Sequence, residues 1–400
     1  MAKNLRRQEQ TTARIAVARA PGRQPLRSED DPIDLAPAVG CSYMTSLYGR
    51  PFPVQFRSQG AIDAWTQALG NTELWRSWQD PGTMCWDIRQ EVSRQLKRMY
   101  PTFLVSMGRA EQMAATRRLL EIDIGTNLKY HLHKGTVIEA TPTLETLLTN
   151  SDVDLSLPMS IVAPPYRAQY LRFGEVAMRY LKVPDSPAPD HVFDGVFCFF
   201  TQAAPHSAIE GARWTLELVF IIKQQDCCHG HVILIGDTDR GSTTVGEWLA
   251  KVLDGGAEYS ADTHQRSMHA AISYVVRVFL YMTLKQARVM EHPEYDAALH
   301  RAAGLGDRKR AKLLQRSASL YNSILVGPEF SPSSAATGGA ATGVASHWRR
   351  GHFRMQPCGV GNQQRKLIFV APILIHADQL KGEVPAPKSY RAVSSNRFNR

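Results

Sequence analysis

The chain has 400 residues, 44% hydrophobic and 21% charged, so it can bury a large core, and its length suggests about two to three domains. Its six cysteines, two of them adjacent, do not make the disulfide framework of a small secreted domain, and a reducing cytosol is expected. The net charge of +10 is uneven: residues 1–28 carry +6 and residues 346–400 carry +8, which leaves −4 for residues 29–345, so an anionic partner such as nucleic acid is expected at the ends.

Residues 1–40 mix Arg, Gln, Pro and acidic residues without an apolar period and read as a disordered basic N-terminus. They lack the continuous apolar core of a signal peptide, and a cytoplasmic location is expected. Residues 41–120 read as a helical region, in which "CWDIRQEVSRQLKRMY" places Ile88, Val92, Leu96 and Met99 on one stripe. Residues 121–325 read as an α+β core. The segments "TNLKYHLH", "LPMSIVAP", "HVFDGVFCFFTQ", "RWTLELVFIIK" and "HVILIGD" predict strands, with one short helix near "TPTLETLL". Few long helices separate these strands, so a largely antiparallel sheet is expected, packed against long helices. Two such helices follow: "STTVGEWLAKVLDGG", and a longer one from Asp262 to a stop before Pro293. The apolar stretch "AISYVVRVFLYMTL" inside the second is interrupted by Arg277 and is too short to span a bilayer. The segment "GDRKRAKLLQRSASLYNSILVG" reads as a basic helix or connector, and residues 326–345 as a flexible linker rich in Ala, Gly, Ser and Thr.

Beyond the linker lies "SHWRRGHFRMQPCGVGNQQRKLIFVAP", which carries five Arg or Lys, two His and no carboxylate. A period of two puts Trp348, Arg350, His352 and Arg354 on one face of a strand and His347, Arg349, Gly351, Phe353 and Met355 on the other. The loop around Gly359 and Gly361 and the apolar run after Arg365 and Lys366 complete a cationic β-hairpin over residues 346–376, expected to dock on the core; residues 377–400 form a basic tail. Aromatic and cationic groups on one strand suit base stacking and phosphate neutralisation, so His347, Trp348, Arg349, Arg350, His352, Arg354, Arg365 and Lys366 are the candidate contacts to nucleic acid or another partner. A row of Arg on an edge strand also serves simply to prevent aggregation.

Two weaker candidates concern metal. "DCCHGH" holds Cys227, Cys228, His229 and His231, but adjacent cysteines chelate poorly, and the segment lies where a hairpin turn is expected. In "LIGDTDRGSTT" a predicted strand ends at Asp237 and Asp239, two carboxylates that suit magnesium, although an ordinary strand-to-helix turn uses the same residue types. His347 and His352 are five apart and point to opposite faces of a regular strand, so paired acid–base catalysis is not expected.

The segment "SHWRRGHFRMQPCGVGNQQRKLIFVAPILI" resembles the C-terminal His-x-Arg-Arg-Gly-His signature, with its Gly-x-Gly loop and aromatic strand, of a family that includes a type V-A anti-CRISPR protein. His347, Arg349, Arg350, Gly351, His352, Gly359 and Gly361 carry the resemblance, and the order of elements upstream extends it over roughly residues 120–376. The resemblance implies a regulator encoded by a phage or plasmid, not an enzyme and without a cofactor. Such a protein would bind a nascent polypeptide, RNA or the ribosome to lower expression of a target gene. The alternatives are a metal-dependent nuclease using Asp237 and Asp239, and a plasmid or phage DNA-binding regulator.

Overall fold

The computed structural model describes residues 49–80, 82–103, 110–162, 164–181, 192–202, 214–224, 227–237, 243–254, 262–328 and 347–375. The expected basic N-terminus, most of the linker and the basic tail lie outside these residues. Among the described residues no helix is long and apolar enough to cross a membrane.

Five helices come first: α1 (Phe52–Ser58), α2 (Ala61–Leu69), α3 (Glu73–Trp78), α4 (Cys85–Phe103) and α5 (Ala110–Leu132). Thr72 caps α3 by accepting the Trp75 N–H at 3.1 Å, satisfying one of the donors that a helix start leaves open. The five helices share an apolar centre of Phe56, Trp65, Trp75, Trp78, Ile88, Val92, Ile124 and Leu128. Ile88 and Val92 are the inward residues of the stripe read from the sequence; the side chains of Leu96 and Met99 lie outside the description.

An α+β core follows: β1 (Thr136–Ala140), α6 (Pro142–Thr149), β2 (Ser151–Val153), β3 (Ala168–Arg172), α7 (Glu175–Tyr180), β4 (Val192–Gln202), β5 (Trp214–Gln224), β6 (Cys227–Asp237), α8 (Val245–Asp254) and α9 (Asp262–Met282). It continues through β7 (Val289–Pro293), α10 (Glu294–Ala303), α11 (Asp307–Ser317) and β8 (Asn322–Val326). Seven strands form one mixed, mostly antiparallel sheet in the order β6-β5-β4-β3-β1-β8-β7; only the β1–β3 and β1–β8 pairings within it are parallel. Alternation along β5 sends Leu216, Leu218 and Phe220 into a cluster with Trp248 of α8 and Ile272, Val276 and Phe279 of α9. Val219 and Ile221 face the other way, toward Phe52, Cys85 and Tyr130 of the helical region. The sheet is therefore covered by helices on both faces.

That double cover explains where the expectations fail. "TNLKYHLH" is not a strand but the end of α5, because α5 lies between the sheet and the other helices. Thr126, Asn127 and Lys129 are buried together with Leu128 and Tyr130, which hides the helical period. Lys129 Nζ lies 2.7 Å from Glu217 Oε2 of β5 and 3.2 Å from Thr201 Oγ1, with the Cys85 N–H donating to the same Glu217 oxygen at 3.1 Å. Burial pushes the Glu217 carboxyl up, but the Lys129 charge and hydrogen bond, the Cys85 N–H and Arg89 outweigh it and hold the group below the usual carboxylate range. "LPMSIVAP" is a 3-10 turn over Met159–Ile161, as its two prolines favour, and the long helix expected to run to Pro293 stops at Met282 and gives way to edge strand β7.

Arg277, the residue that interrupts the apolar run of α9, is only 4% exposed. Its Nη1 donates to the carbonyls of Leu148 and Ser151, and its Nε to Ser273 O at 3.0 Å. A helix end leaves carbonyls without partners, and here a buried guanidinium supplies the donors for the end of α6. The contact also holds the start of β2, the strand on which the C-terminal hairpin is built.

Candidate functional site

The cationic segment forms β9 (His347–Arg349), β10 (Gly351–Cys358), β11 (Gln364–Val370) and β12 (Ile373–Ile375). Strands β10 and β11 make the antiparallel hairpin, and β10 adds a parallel pairing to β2, with Gly351, His352 and Phe353 opposite Ser151, Asp152 and Val153. The hairpin thus docks on the core through a small second sheet rather than by extending the seven-stranded one. Its inner face is apolar: Phe353 is fully buried and stacks on Phe369 at 4.5 Å between ring centroids, and Phe369 meets Tyr281 of α9 edge-on at 6.3 Å.

Directly opposed residues share a face, so Arg354 with Ile368 and Gln356 with Lys366 line the outer surface, where Arg354, Gln356 and Lys366 are exposed. Arg365, opposite Pro357, lies beyond the core and is exposed as well. The connecting loop needs its glycines, because Gly359 and Gly361 take φ of +77° and +63°, which L side chains rarely adopt. Between them Val360 is 95% exposed at the tip. No carboxylate occurs anywhere from residue 346 to 376.

The single face of Trp348, Arg350, His352 and Arg354 expected from alternation is divided. Arg350 lies between two strands that pair with different partners, β9 with β12 and β10 with β11 and β2. His352 and Arg354 keep a common side on β10, while Trp348 is placed by its backbone alone, opposite Leu374. His347 and Arg349 are exposed on β9. Arg350 Nη1 lies 2.5 Å from Asp152 Oδ1, so its carboxylate comes from 198 positions away and not from the segment itself. Because both side chains remain partly in water, this pair contributes about 0 to 1 kcal/mol.

Gly351 has a packing role. A Cβ there would sit 2.6 Å from Val370 O, 2.6 Å from Ser151 Oγ and 2.6 Å from Pro372 Cδ, so β11, β2 and the residue before β12 close around a bare backbone. Gly351→Ala is expected to cost about 1–3 kcal/mol through overpacking, measured by denaturant unfolding. Wild-type stability would show that the strands separate freely and that this contact does not hold the hairpin.

The metal candidates are arranged differently from the turn read in the sequence. Cys227, Cys228, His229 and His231 belong to β6, with Cys227 opposite Gln224, Cys228 opposite Lys223 and His231 opposite Ile221. Residues 225–226, between β5 and β6, lie outside the described residues. Asp237 ends β6 opposite Thr215, and Asp239 lies outside the described residues. Among the described residues no group of three or more His, Cys, Asp or Glu is gathered as a metal site would require.

Local sequence did not signal a cleft of about 700 Å³ lined by α1, α2 and α5 on one side and α10, α11 and the approach to β8 on the other. Arg57 lies over the Tyr295 ring, 3.8 Å from its centroid, and donates to the carbonyls of Leu320 and Ala318. Burial, followed by the Arg57 charge, pushes His131 down to about 3, so its ring is neutral and its Nε2–H donates to Pro53 O at 3.0 Å. Asp63, Lys134 and Asp296 are exposed around this cleft.

The chain matches the family model described as AcrVA2-like, Anti-CRISPR type V subtype A2 family, over residues 138–377. The matched interval begins within β1 and ends just past β12, so it takes in the seven-stranded sheet and the cationic hairpin and leaves out the N-terminal helices. A comparison with curated proteins finds no match. Among solved structures, the chain is similar to one described as the crystal structure of AcrVA2, with 11% identity, a TM-score of 0.40, and coverage of 79% of this chain and 98% of that chain.

Proposed function

Since the chain belongs to the anti-CRISPR type V subtype A2 family, we propose that it is an anti-CRISPR regulator that engages a nascent polypeptide, ribosome-associated RNA or both and so lowers expression of its target gene. The observation that carries the RNA part is the set of exposed cations on the hairpin, Arg354 and Lys366 on its outer face and Arg365 on the other face past the buried Phe353, on a segment free of carboxylates. These cations sit on a base fixed by Phe353 and Phe369, so little ordering of the hairpin is required when a phosphate backbone arrives. The exposed Val360 at the tip adds an apolar contact between two glycines.

The test compares the tagged full chain with the variant Arg354→Gln, Arg365→Gln, Lys366→Gln after crosslinking in cells, with sequencing of bound RNA, identification of bound polypeptides and measurement of the abundance of the polypeptides so identified. The variant is expected to unfold within about 0.5 kcal/mol of wild type, because these are surface substitutions. It is also expected to lose most bound RNA and most suppression of the target gene. Full suppression by the variant would remove the hairpin from the mechanism, and the absence of RNA from the wild-type crosslinks would remove RNA as a partner.

A further inference from the structure

Helix α11, Asp307–Ser317, carries a dense cationic surface that the hairpin reading leaves unused. At 3.6 residues per turn, Arg308, Lys309, Lys312 and Arg316 fall within an arc of about 100°. All four are exposed. The opposite side is the one that packs: Leu313 and Leu314 are half-buried, and Ser317 is buried with its hydroxyl donating to Leu313 O at 2.8 Å. The helix's own carboxylate, Asp307, lies outside the cationic arc. Among the described residues none of the four cations makes an ion pair, whereas Arg172, Arg179 and Arg350 each have a carboxylate within 4 Å.

A solvated helix face ordinarily mixes signs, with Glu or Asp three or four positions from Lys or Arg. In α11 the spacing is the reverse. Arg308, Lys312 and Arg316 follow one another at four-residue steps, so like charges repel along the helix and the arrangement costs helix stability. Each step advances about 6 Å along the axis, comparable with the distance between successive phosphates on a strand. Helix–sheet packing holds this row in place: Asn322, the first residue of β8, accepts the Tyr295 and Asp296 N–H groups at 3.1 Å each and so caps α10, the helix against which α11 packs.

We propose that the exposed face of α11 is a second, sequence-independent site for an RNA backbone, its three-step row of Arg308, Lys312 and Arg316 neutralising consecutive phosphates. The proposal rests on the RNA reading of the preceding section and adds a surface to it. Guanidinium and ammonium groups on such a row bind by counterion release, so they supply affinity and salt dependence rather than base preference.

The test uses fluorescence anisotropy of oligouridine with the full chain across a salt series, alongside thermal unfolding. Arg308→Gln, Lys312→Gln, Arg316→Gln is expected to weaken binding at low salt by about tenfold or more and to lower the salt slope by about two, at about 0.7 per single-strand phosphate contact. Its melting temperature is expected to stay at the wild-type value or rise, because like-charge repulsion is removed. Arg308→Lys with Arg316→Lys keeps the slope, since an ammonium also neutralises a phosphate. If wild type binds oligouridine and the α11 Gln variant keeps both affinity and slope, the face is only solvated or meets an acidic protein, and the proposal falls while the hairpin reading stands. If wild type itself does not bind, both fall.

Discussion

Replacing Lys129 with Met is expected to lower the unfolding free energy by about 3–5 kcal/mol, because it leaves the Glu217 carboxylate buried without its cation. The pair is closed to water, with side-chain exposures of 3% and 0%. The sequence reading placed Lys129 in a predicted strand, with no partner in view; in the fold it is the positive charge that permits an acid in the middle of a covered sheet. The pH dependence gives a second signature. In the wild type the folded-state carboxyl is held below its ordinary value, so its contribution is fully present above the unfolded pKa of about 4.3 and is lost as pH falls through the folded value. In the variant the desolvation that opposed Lys129 is left dominant and raises the folded pKa above the unfolded one. Stability is then lost as pH rises through that raised value, and acidification recovers part of the deficit. Adding Glu217→Leu to Lys129→Met should restore much of the stability, since an apolar pair of similar volume no longer buries a charge. Denaturant unfolding of the three proteins between pH 4 and 8 reads all of this. A loss below about 1 kcal/mol with a wild-type pH profile would mean that water reaches the carboxylate and that Lys129 does not hold it.

Phe353→Ala should cost about 3–5 kcal/mol, the usual range for emptying a fully buried aromatic site. Phe353 belongs to the main apolar cluster of sheet and helices, and its ring stacks on Phe369, the second anchor of the hairpin. Among the described residues the only strand pairing from hairpin to core is the short one to Ser151, Asp152 and Val153, so the aromatic contacts carry much of the docking. Hydrogen exchange is expected to show the amides of Gln364–Val370 losing protection before those of β4 and β5, as a local opening of the hairpin. Under the proposed function, suppression of the target gene should fall with that opening. This separates two roles within one segment: Phe353→Ala acts through stability, whereas the triple Gln variant of Arg354, Arg365 and Lys366 acts at unchanged stability. Wild-type unfolding and exchange in Phe353→Ala would mean that the hairpin is held elsewhere.

The α+β class was legible in the sequence. "HVFDGVFCFFTQ", "RWTLELVFIIK" and "HVILIGD" are long enough for alternation and β-branched content to declare strands β4, β5 and β6, and "TPTLETLL" and "TVGEWLAKVL" declare α6 and α8 through their hydroxyl caps and helical spacing. The C-terminal hairpin was legible for the same reason, and its signature residues marked the family. Strands β1, β3 and β8 were not, because each is only five residues long and is stabilised by parallel neighbours distant in the chain.

What the sequence determined by itself is local: period, turn chemistry at Gly359 and Gly361, the concentration of positive charge, and the absence of acid from residues 346–376. What only the tertiary structure decided is how distant polar groups meet. Lys129 finds Glu217, Arg277 finds the end of α6, and Arg350 finds Asp152, each across more than 80 positions. A charge is read from sequence as facing water because leaving water is costly, and that cost is offset only by a partner that the fold brings from elsewhere. Gly351 belongs to the same class, since its need for a bare backbone arises where β2, β11 and Pro372 converge on it and leave no trace in its neighbours along the chain.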